Sequence, residues 1–171
     1  MEPYALLVSI NPKYAKEIIS RRKTVELRRR FPKIKPGGKI LIYSSCPDKA
    51  LIGTATVEDI ISLTINQLWQ KYEYRMGISQ EDFRDYLKGV SVGCAIELKR
   101  VEPFPSPVSL STLRKIIPGF HPPQSYQYFT EKKYQTFLDS VHNYSQTHTH
   151  IKENNEYNFT PEKAVMRVAL A

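Results

Sequence analysis

Short stretches in which apolar and polar residues alternate recur over the first 110 residues, and this pattern predicts β-strands. The segment 24–28, Thr-Val-Glu-Leu-Arg, shows it most clearly, because its two apolar residues occupy alternate positions. Three prolines interrupt the last stretch, which is typical of an edge or bulged strand. The predicted strands cover residues 4–10, 24–28, 39–44, 50–57, 90–98 and, irregularly, 101–110.

Helical patterns lie between these strands and after them. Asn11 is a good N-cap and Pro12 suits the first helical position, so a helix is expected to begin there. Ser79 opens a capping-box-like start for a later helix, and Trp69 is interpreted as a core residue of the helix before it. The predicted helices cover residues 12–22, 65–72, 79–87 and, as short pieces, 111–140.

Many short strands and few helices predict an α+β fold, a partly closed β-barrel with helices packed around it. The barrel domain is expected to span residues 1–143. Residues 144–158 are polar with little apolar periodicity and predict a flexible loop. Residues 159–171 regain apolar character and are expected to return to the domain.

Composition narrows the class of protein. Of the 171 residues, 41% are hydrophobic and 25% charged, which are globular values. No apolar run approaches the roughly 18 residues of a membrane-spanning helix, and no secretory signal is evident. Two cysteines, Cys46 and Cys94, are too few for a disulfide framework and suit a reduced, cytoplasmic protein.

The positive charge is concentrated near the N-terminus. Residues 1–40 contain eleven Lys and Arg against three Glu, a balance of +8, whereas residues 41–171 contain fourteen of each sign. A local basic surface attracts polyanions, most often nucleic acid. A solvated basic face that only aids solubility accounts for the same charge equally well.

The strand predicted at 24–28 places charged residues that could bind a ligand on one side. Val25 and Leu27 should face the core, so Glu26 and Arg28 should share the opposite face, with Lys23 at the preceding corner. A carboxylate can accept from a base amino group, and the two cations can donate to phosphate or carbonyl oxygens. The alternative is an exposed ion pair of no consequence.

The segment from Arg21 to Arg28 resembles the signature of ASCH domains, a branch of the PUA-like superfamily. That signature reads Gly-x-Lys-x-x-Glu-x-Arg after the first helix, and Lys23, Glu26 and Arg28 match it, while Arg21 replaces the usual Gly. The resemblance covers residues 4–130. It is strengthened by four further elements in the expected order: Ser-Ile-x-Pro before the signature, and Tyr-Ser-Ser, Gly53 and His-Pro-Pro-Gln-Ser-Tyr after it.

The resemblance implies a PUA-like barrel that binds RNA, another nucleic acid or a modified nucleotide in a basic cleft. It also leaves open an enzyme acting on RNA or on modified nucleosides, as a ribonuclease or an N-acylcytidine amidohydrolase. The amidohydrolases of the family use a Lys, a Thr and a Glu; Lys23 matches, whereas Glu26 and Met76 occupy the other two positions. Binding is therefore the leading prediction and catalysis the alternative.

The predicted site joins the signature to two neighbouring elements. If the protein is an enzyme, Lys23 is the first catalytic candidate, followed by Glu26 and Ser125, with His121 as a further acid or base for RNA cleavage. Tyr43 and Tyr126 are the candidate stacking faces. No cofactor, metal ion or membrane is expected, and a monomer is favoured. The ligand-binding set is Lys23, Thr24, Glu26, Arg28, Tyr43, Ser44, Ser45, Gln124, Ser125 and Tyr126, with phosphate contacts from Arg21, Arg22, Arg29 and Arg30.

Overall fold

A computed structural model describes residues 3–30 and 32–156, with side chains to residue 147. One mixed sheet of six strands carries five helices. The strands are β1 Ala5–Ile10, β2 Val25–Arg28, β3 Lys39–Ser44, β4 Ala50–Thr64, β5 Val92–Ser109 and β6 Tyr126–Phe129. The helices are α1 Pro12–Ile19, α2 Ile65–Tyr72, α3 Gln80–Tyr86, α4 Leu110–Ile116 and α5 Glu131–Glu156.

The strand order is β2-β5-β4-β3-β1-β6, which leaves β2 and β6 as the two edges. β1 and β3 are parallel, and the other neighbours are antiparallel. The α+β class is confirmed. The edge strands are not hydrogen-bonded to each other over the part of the chain described, so the sheet is not closed.

β4 and β5 form a long hairpin whose pairing runs from Ala50 with Ser109 to Thr64 with Val92. Sequence analysis ended the fourth strand at residue 57 and divided β5 in two, and both predictions were wrong. The exposed pair Glu58 and Asp59 resembles a strand end, but a register shift there lets β4 continue. Arg100, with a φ of 48°, lies between the segments predicted as separate strands.

α5 corrects another prediction. Residues 144–156, part of the expected polar loop, continue the helix that begins at Glu131. Tyr134, Phe137 and Val141 belong to the second core cluster and hold the first turns of this helix on the sheet, and the polar residues that follow extend it. Residues 157–171, including the predicted apolar C-terminal segment, lie outside the described residues. None of the described helices combines the length and the apolar character needed to cross a membrane.

Three apolar clusters stabilise the sheet. The first packs β1, β3 and β4 residues such as Val8, Ile42 and Ala55 against α1. The second lies against α4 and α5 and includes Leu41 and Tyr43, which alternate along β3 with members of the first cluster. The third joins β2 to α2 and α3 through Leu27, Leu68 and Phe83, and so places these helices beside the β2 edge.

Gly53 lies where β4 packs too tightly against β5 to admit a side chain, and we expect Gly53→Ala to lower the free energy of unfolding by about 1–3 kcal/mol. A Cβ there would lie 2.6 Å from the Glu102 carbonyl oxygen and 2.9 Å from Ile19 Cδ1. Denaturant unfolding measures the effect. Gly119→Asn is the control, because that position is open and has a φ of 75°, which Asn tolerates; its cost should stay below about 1 kcal/mol. An unchanged midpoint for Gly53→Ala would contradict the expectation.

Candidate functional site

β2 is buried on both sides, which brings its charged residues into a protein-lined pocket. Val25 and Leu27 belong to the third apolar cluster, as their alternation predicts. Glu26 and Arg28 are also buried, with 8% and 7% of their surface exposed. The charged face of the strand is therefore covered by other elements and is not an exposed ion pair.

The pocket between β2, α1 and α3 has a volume of about 350 Å³. Lys23, Glu26 and Arg28, the three residues that match the family signature, all line it. The other lining residues are Ser9, Ile10, Asn11, Tyr14, Leu27, Ile78, Asp82, Asp85 and Tyr86.

Lys23 is held entirely by the protein. Its Nζ donates to the carbonyl oxygens of Met76 at 2.6 Å and Val25 at 2.7 Å, and lies 3.5 Å from Glu26 Oε2. These three acceptors match the three N–H bonds of an ammonium group. Burial lowers the pKa of Lys23, and the neighbouring Glu26 carboxylate opposes this shift. Lys23 therefore fixes the α2–α3 connection to β2 and has no further donor for a ligand.

Glu26 and Arg28 form an ion pair that leaves some of their hydrogen-bonding groups unused. Arg28 Nη2 lies 2.9 Å from Glu26 Oε1. Each carboxylate oxygen can accept more than one hydrogen bond, so Glu26 keeps acceptor capacity toward the pocket. Arg28 Nε is buried and has no hydrogen-bond partner among the described residues. A carboxylate and a guanidinium with one unused donor are thus paired in the pocket lining.

Arg28 also links the two edges of the sheet. From β2 it donates to the Ser9 carbonyl oxygen at 3.1 Å and to Ser125 Oγ, just before β6, at 3.3 Å. The Ser9 hydroxyl in turn donates to the Pro123 carbonyl oxygen at 2.6 Å. This end of the pocket is therefore built from both edge strands, although no backbone ladder joins them.

The rim on the helix side is polar and largely acidic. Burial, reinforced by the nearby Asp82 carboxylate, raises the pKa of the Tyr14 phenol, which keeps it protonated. Tyr86 donates its hydroxyl to the Leu27 carbonyl oxygen at 3.3 Å. With Asp82 and Asp85, the lining carries three carboxylates against two cations. This lining does not confirm the basic cleft expected from the sequence.

A second polar network fixes the segment that holds Lys23 in place. Glu97 accepts from the Tyr72 hydroxyl at 2.5 Å and from Arg75 Nη1 at 2.8 Å, and Arg75 Nε donates to Thr24 Oγ1 at 3.0 Å. Burial by itself raises the pKa of Glu97, but the hydrogen bonds from Tyr72 and Arg75 outweigh burial and lower this pKa. Thr24 thus serves this network and does not line the pocket.

The structure does not bring Tyr43, Ser44 and Ser45 to the pocket. Tyr43 is 2% exposed and its ring lies in the second apolar cluster, 6.4 Å from the Phe120 ring centre. Burial raises the pKa of its phenol. Ser44 is buried and donates to Asp48, and the Ser45 amide donates to the Ile10 carbonyl oxygen. Alternation along β3 turns Tyr43 to the opposite face of the sheet from Ile42, so its ring presents no stacking face.

The Gln124-Ser125-Tyr126 segment approaches the pocket through Ser125 alone. Gln124 is exposed, and Tyr126 packs against the first apolar cluster and edge-on against Tyr128, with ring centres 5.5 Å apart. The exposed His121 ring faces the Gly119 carbonyl oxygen at 2.8 Å.

Most of the arginines predicted to contact phosphate bind the protein instead. Arg22 pairs with Glu17, Arg21 donates to the Val101 carbonyl oxygen, and Arg29 donates to the carbonyl oxygens of Tyr86 and Lys88. Arg30 is exposed, and its side chain has no hydrogen bond or ion pair with any residue described. These contacts restrain Arg21, Arg22 and Arg29 and leave Arg30 available.

Sequence reasoning missed the helix side of the pocket, namely Tyr14, Asp82, Asp85 and Tyr86. Tyr14 lies one helical turn before Ile18, a spacing that suits a core position and gives no sign of a pocket. The acidic residues of α3 suited its first turn and gave no sign that α3 lies over β2. Within the residues described, no three His, Cys, Asp or Glu side chains come together as a metal site would require.

Comparison with known proteins identifies close relatives. A family model described as a domain of unknown function, DUF365, matches residues 4–119. The ASCH domain-containing ribonuclease of Zymomonas mobilis subsp. mobilis is 36% identical over 132 residues, which make up 77% of this chain and 88% of the relative.

Solved structures extend the comparison. The crystal structure of ASCH from Zymomonas mobilis matches with a TM-score of 0.74 and 34% identity, covering 80% of this chain and 94% of the other. The N-terminal domain of Staphylothermus marinus McrB matches with a TM-score of 0.52 and 12% identity over 81% of this chain and 95% of that domain, a likeness of fold alone.

Proposed function

The chain belongs to the ASCH domain family, and from that premise we propose that it binds single-stranded nucleic acid or a nucleotide by holding one unpaired base in the pocket beside β2. One observation carries this proposal: Glu26, a carboxylate with acceptor capacity to spare, pairs in the pocket lining with the guanidinium of Arg28, whose buried Nε has no partner among the described residues. The volume of about 350 Å³ is near the lower end of small-molecule sites, which suits a single nucleoside.

The donor and acceptor favour bases that carry an amino group. Adenine and cytosine both present an exocyclic amino donor beside a ring acceptor. Glu26 would accept from the amino group while Arg28 Nε donates to the ring nitrogen, so both buried groups are satisfied at once. Uracil presents a carbonyl oxygen to Glu26 at that position and would leave the carboxylate without its hydrogen bond.

The charges of the lining favour a base over a phosphate. Three carboxylates and two cations line the pocket, and Lys13 pairs with Asp82 at the rim, so the pocket offers a phosphate no net positive charge. The base therefore enters while its phosphates remain outside. Lys23 acts indirectly in this proposal, by holding Glu26 and the α2–α3 connection in position.

Glu26→Gln tests base recognition. We expect the affinity for cytidine and adenosine to fall about 10- to 100-fold, since one amide oxygen replaces a charged acceptor. The affinity for uridine should rise relative to cytidine, because the amide can donate to a carbonyl oxygen. Calorimetric titration with the four nucleosides measures both effects.

Glu17→Gln is the matched control, because Glu17 pairs with Arg22 on the surface away from the pocket. It should leave all four affinities unchanged. A Glu26→Gln protein that is folded by circular dichroism and keeps the wild-type order of nucleoside affinities would contradict base recognition by Glu26.

RNA cleavage is the second candidate function, favoured by the name of the Zymomonas mobilis relative and by the Ser125 hydroxyl beside Arg28. Arg28 would stabilise charge on a phosphate at the pocket mouth, where Ser125 could interact with the 2′-hydroxyl. Incubation with end-labelled single-stranded RNA tests this: fragments that disappear with Ser125→Ala support cleavage, and intact RNA in a binding-competent protein opposes it.

A further inference from the structure

We propose that an exposed surface next to the pocket, formed by Tyr128, Arg30 and Lys33, binds the nucleotide adjacent to the one in the pocket, with its base stacked on Tyr128 and its phosphate between the two cations. This surface is called the Tyr128 platform. The inference rests on the proposed function, because a second nucleotide has meaning only for a single-stranded nucleic acid.

The aromatic part of the platform lies on the β6 edge. Tyr126 and Tyr128 point to the same side of the strand, and Tyr126 packs against the first apolar cluster while Tyr128 is 40% exposed. β6 pairs only with β1, so this edge is accessible along the described chain. An exposed tyrosine ring fixed edge-on by its neighbour offers a rigid face on which an unpaired base can stack.

The cationic part lies within reach of the same ring. The Lys33 amide donates to the Tyr128 hydroxyl at 2.8 Å, which places the start of the Lys33 side chain beside the ring. Arg30 lies two residues after Arg28, which contacts Ser125 just before β6, and three residues before Lys33, whose amide contacts Tyr128. Both cationic side chains are exposed, and neither is engaged by any described residue.

The platform adjoins the pocket through Ser125. Arg28 donates to Ser125 Oγ from inside the pocket, and Tyr126, the next residue, starts β6. Tyr128 lies three residues beyond Ser125, a span of about 10 Å at the rise of an extended chain. The acidic rim lies on the helix side of the pocket. A nucleic-acid strand that leaves the pocket across the Tyr128 platform therefore keeps its phosphates away from those carboxylates.

The test compares a nucleoside with a single-stranded RNA and DNA of about ten nucleotides, measured by titration calorimetry and fluorescence anisotropy. Tyr128→Ala should weaken oligonucleotide binding about 10-fold, in line with the loss of one stacked base, and leave nucleoside binding unchanged. Lys33→Ala should reduce the slope of log K against log salt by about 0.7, the value for one phosphate of a single strand.

Two control variants test whether stacking on the Tyr128 ring, and not merely the presence of an exposed tyrosine, accounts for oligonucleotide binding. Tyr128→Phe keeps the ring but removes the hydroxyl that accepts from the Lys33 amide, so it should lose less oligonucleotide affinity than Tyr128→Ala. Tyr74→Ala removes a tyrosine that is 91% exposed on the α2–α3 connection and should have no effect. Lys33→Glu supplies a second variant if Tyr128→Ala does not fold, and it should weaken oligonucleotide binding more than Lys33→Ala.

The outcomes distinguish this inference from the proposed function. If nucleosides bind but substitutions of Tyr128 and Lys33 leave the oligonucleotide affinity unchanged, the platform proposal is wrong and the pocket proposal is retained. If oligonucleotides bind through Tyr128 while Glu26→Gln changes nothing, the platform stands and the pocket assignment fails. If the wild-type protein binds neither nucleosides nor oligonucleotides, both proposals are overturned.

Discussion

Lys23→Met is expected to lower the free energy of unfolding by about 3–5 kcal/mol, the cost of breaking a buried charged network. The Met76 and Val25 carbonyl oxygens would each lose a short hydrogen bond, and a buried acceptor without a partner costs about 1–3 kcal/mol. Glu26 would keep Arg28 but lose its second cation. For a chain of this size the melting temperature should fall by roughly 10 °C.

Thermal unfolding followed by circular dichroism measures this effect, and hydrogen exchange locates it. The amides of Thr24 and Val25 both donate to the Arg75 carbonyl oxygen, so they should exchange faster once the α2–α3 connection loses its anchor. Lys16→Met is the matched control: Lys16 is an exposed lysine paired with Asp48, and its loss should cost less than about 1 kcal/mol. Equal melting temperatures for the two variants would show that Lys23 is not an anchor.

Arg28→Met is expected to have an effect of similar size for a different reason. The change removes the partner at 2.9 Å from Glu26 and the only side-chain link described between β2 and the residues before β6. We expect a loss of about 3–5 kcal/mol in unfolding free energy, most of it from the buried carboxylate left without its closest cation. Nucleoside binding should be lost as well.

A double-mutant cycle separates the two contributions to the Arg28 effect. If the uncompensated carboxylate dominates, Glu26→Gln combined with Arg28→Met should be more stable than Arg28→Met alone, with a coupling energy of about 1–3 kcal/mol. If the link between the edge strands dominates, the second change should bring no recovery. Urea unfolding of the four proteins decides between these outcomes.

Alternation along β2 was enough to predict half of the site. Val25 and Leu27 had to face a core, so Glu26 and Arg28 had to share the other side, and the structure confirms that division. The sequence could not reveal that α1 lies over this second side or that α3 borders it from the β2 edge, because helix placement depends on packing between distant elements. The same limit explains why Tyr43, correctly assigned to a strand, faces away from the pocket.

Element boundaries failed where local signals conflicted with packing. The exposed Glu58 and Asp59 and the prolines of β5 indicate strand ends, yet the 15-residue β4 and the 18-residue β5 pair along most of their length with register shifts. The polar residues after Asn143 favour a loop, yet α5 continues through them. In each case the tertiary structure overrides a weak local preference.

The order in which the chain is synthesised gives the Arg28–Ser125 contact a further consequence. The two residues are 97 positions apart, and β2 has a single strand neighbour, β5, which begins at Val92. A chain growing from its N-terminus therefore contains Glu26, Arg28 and Ser9 long before it contains β5 or Ser125. Contacts between such distant residues close large loops and form late in folding. A nascent chain that stops before Ser125 carries the signature without the contact that ties β2 to the residues before β6, so this end of the pocket is completed late in synthesis.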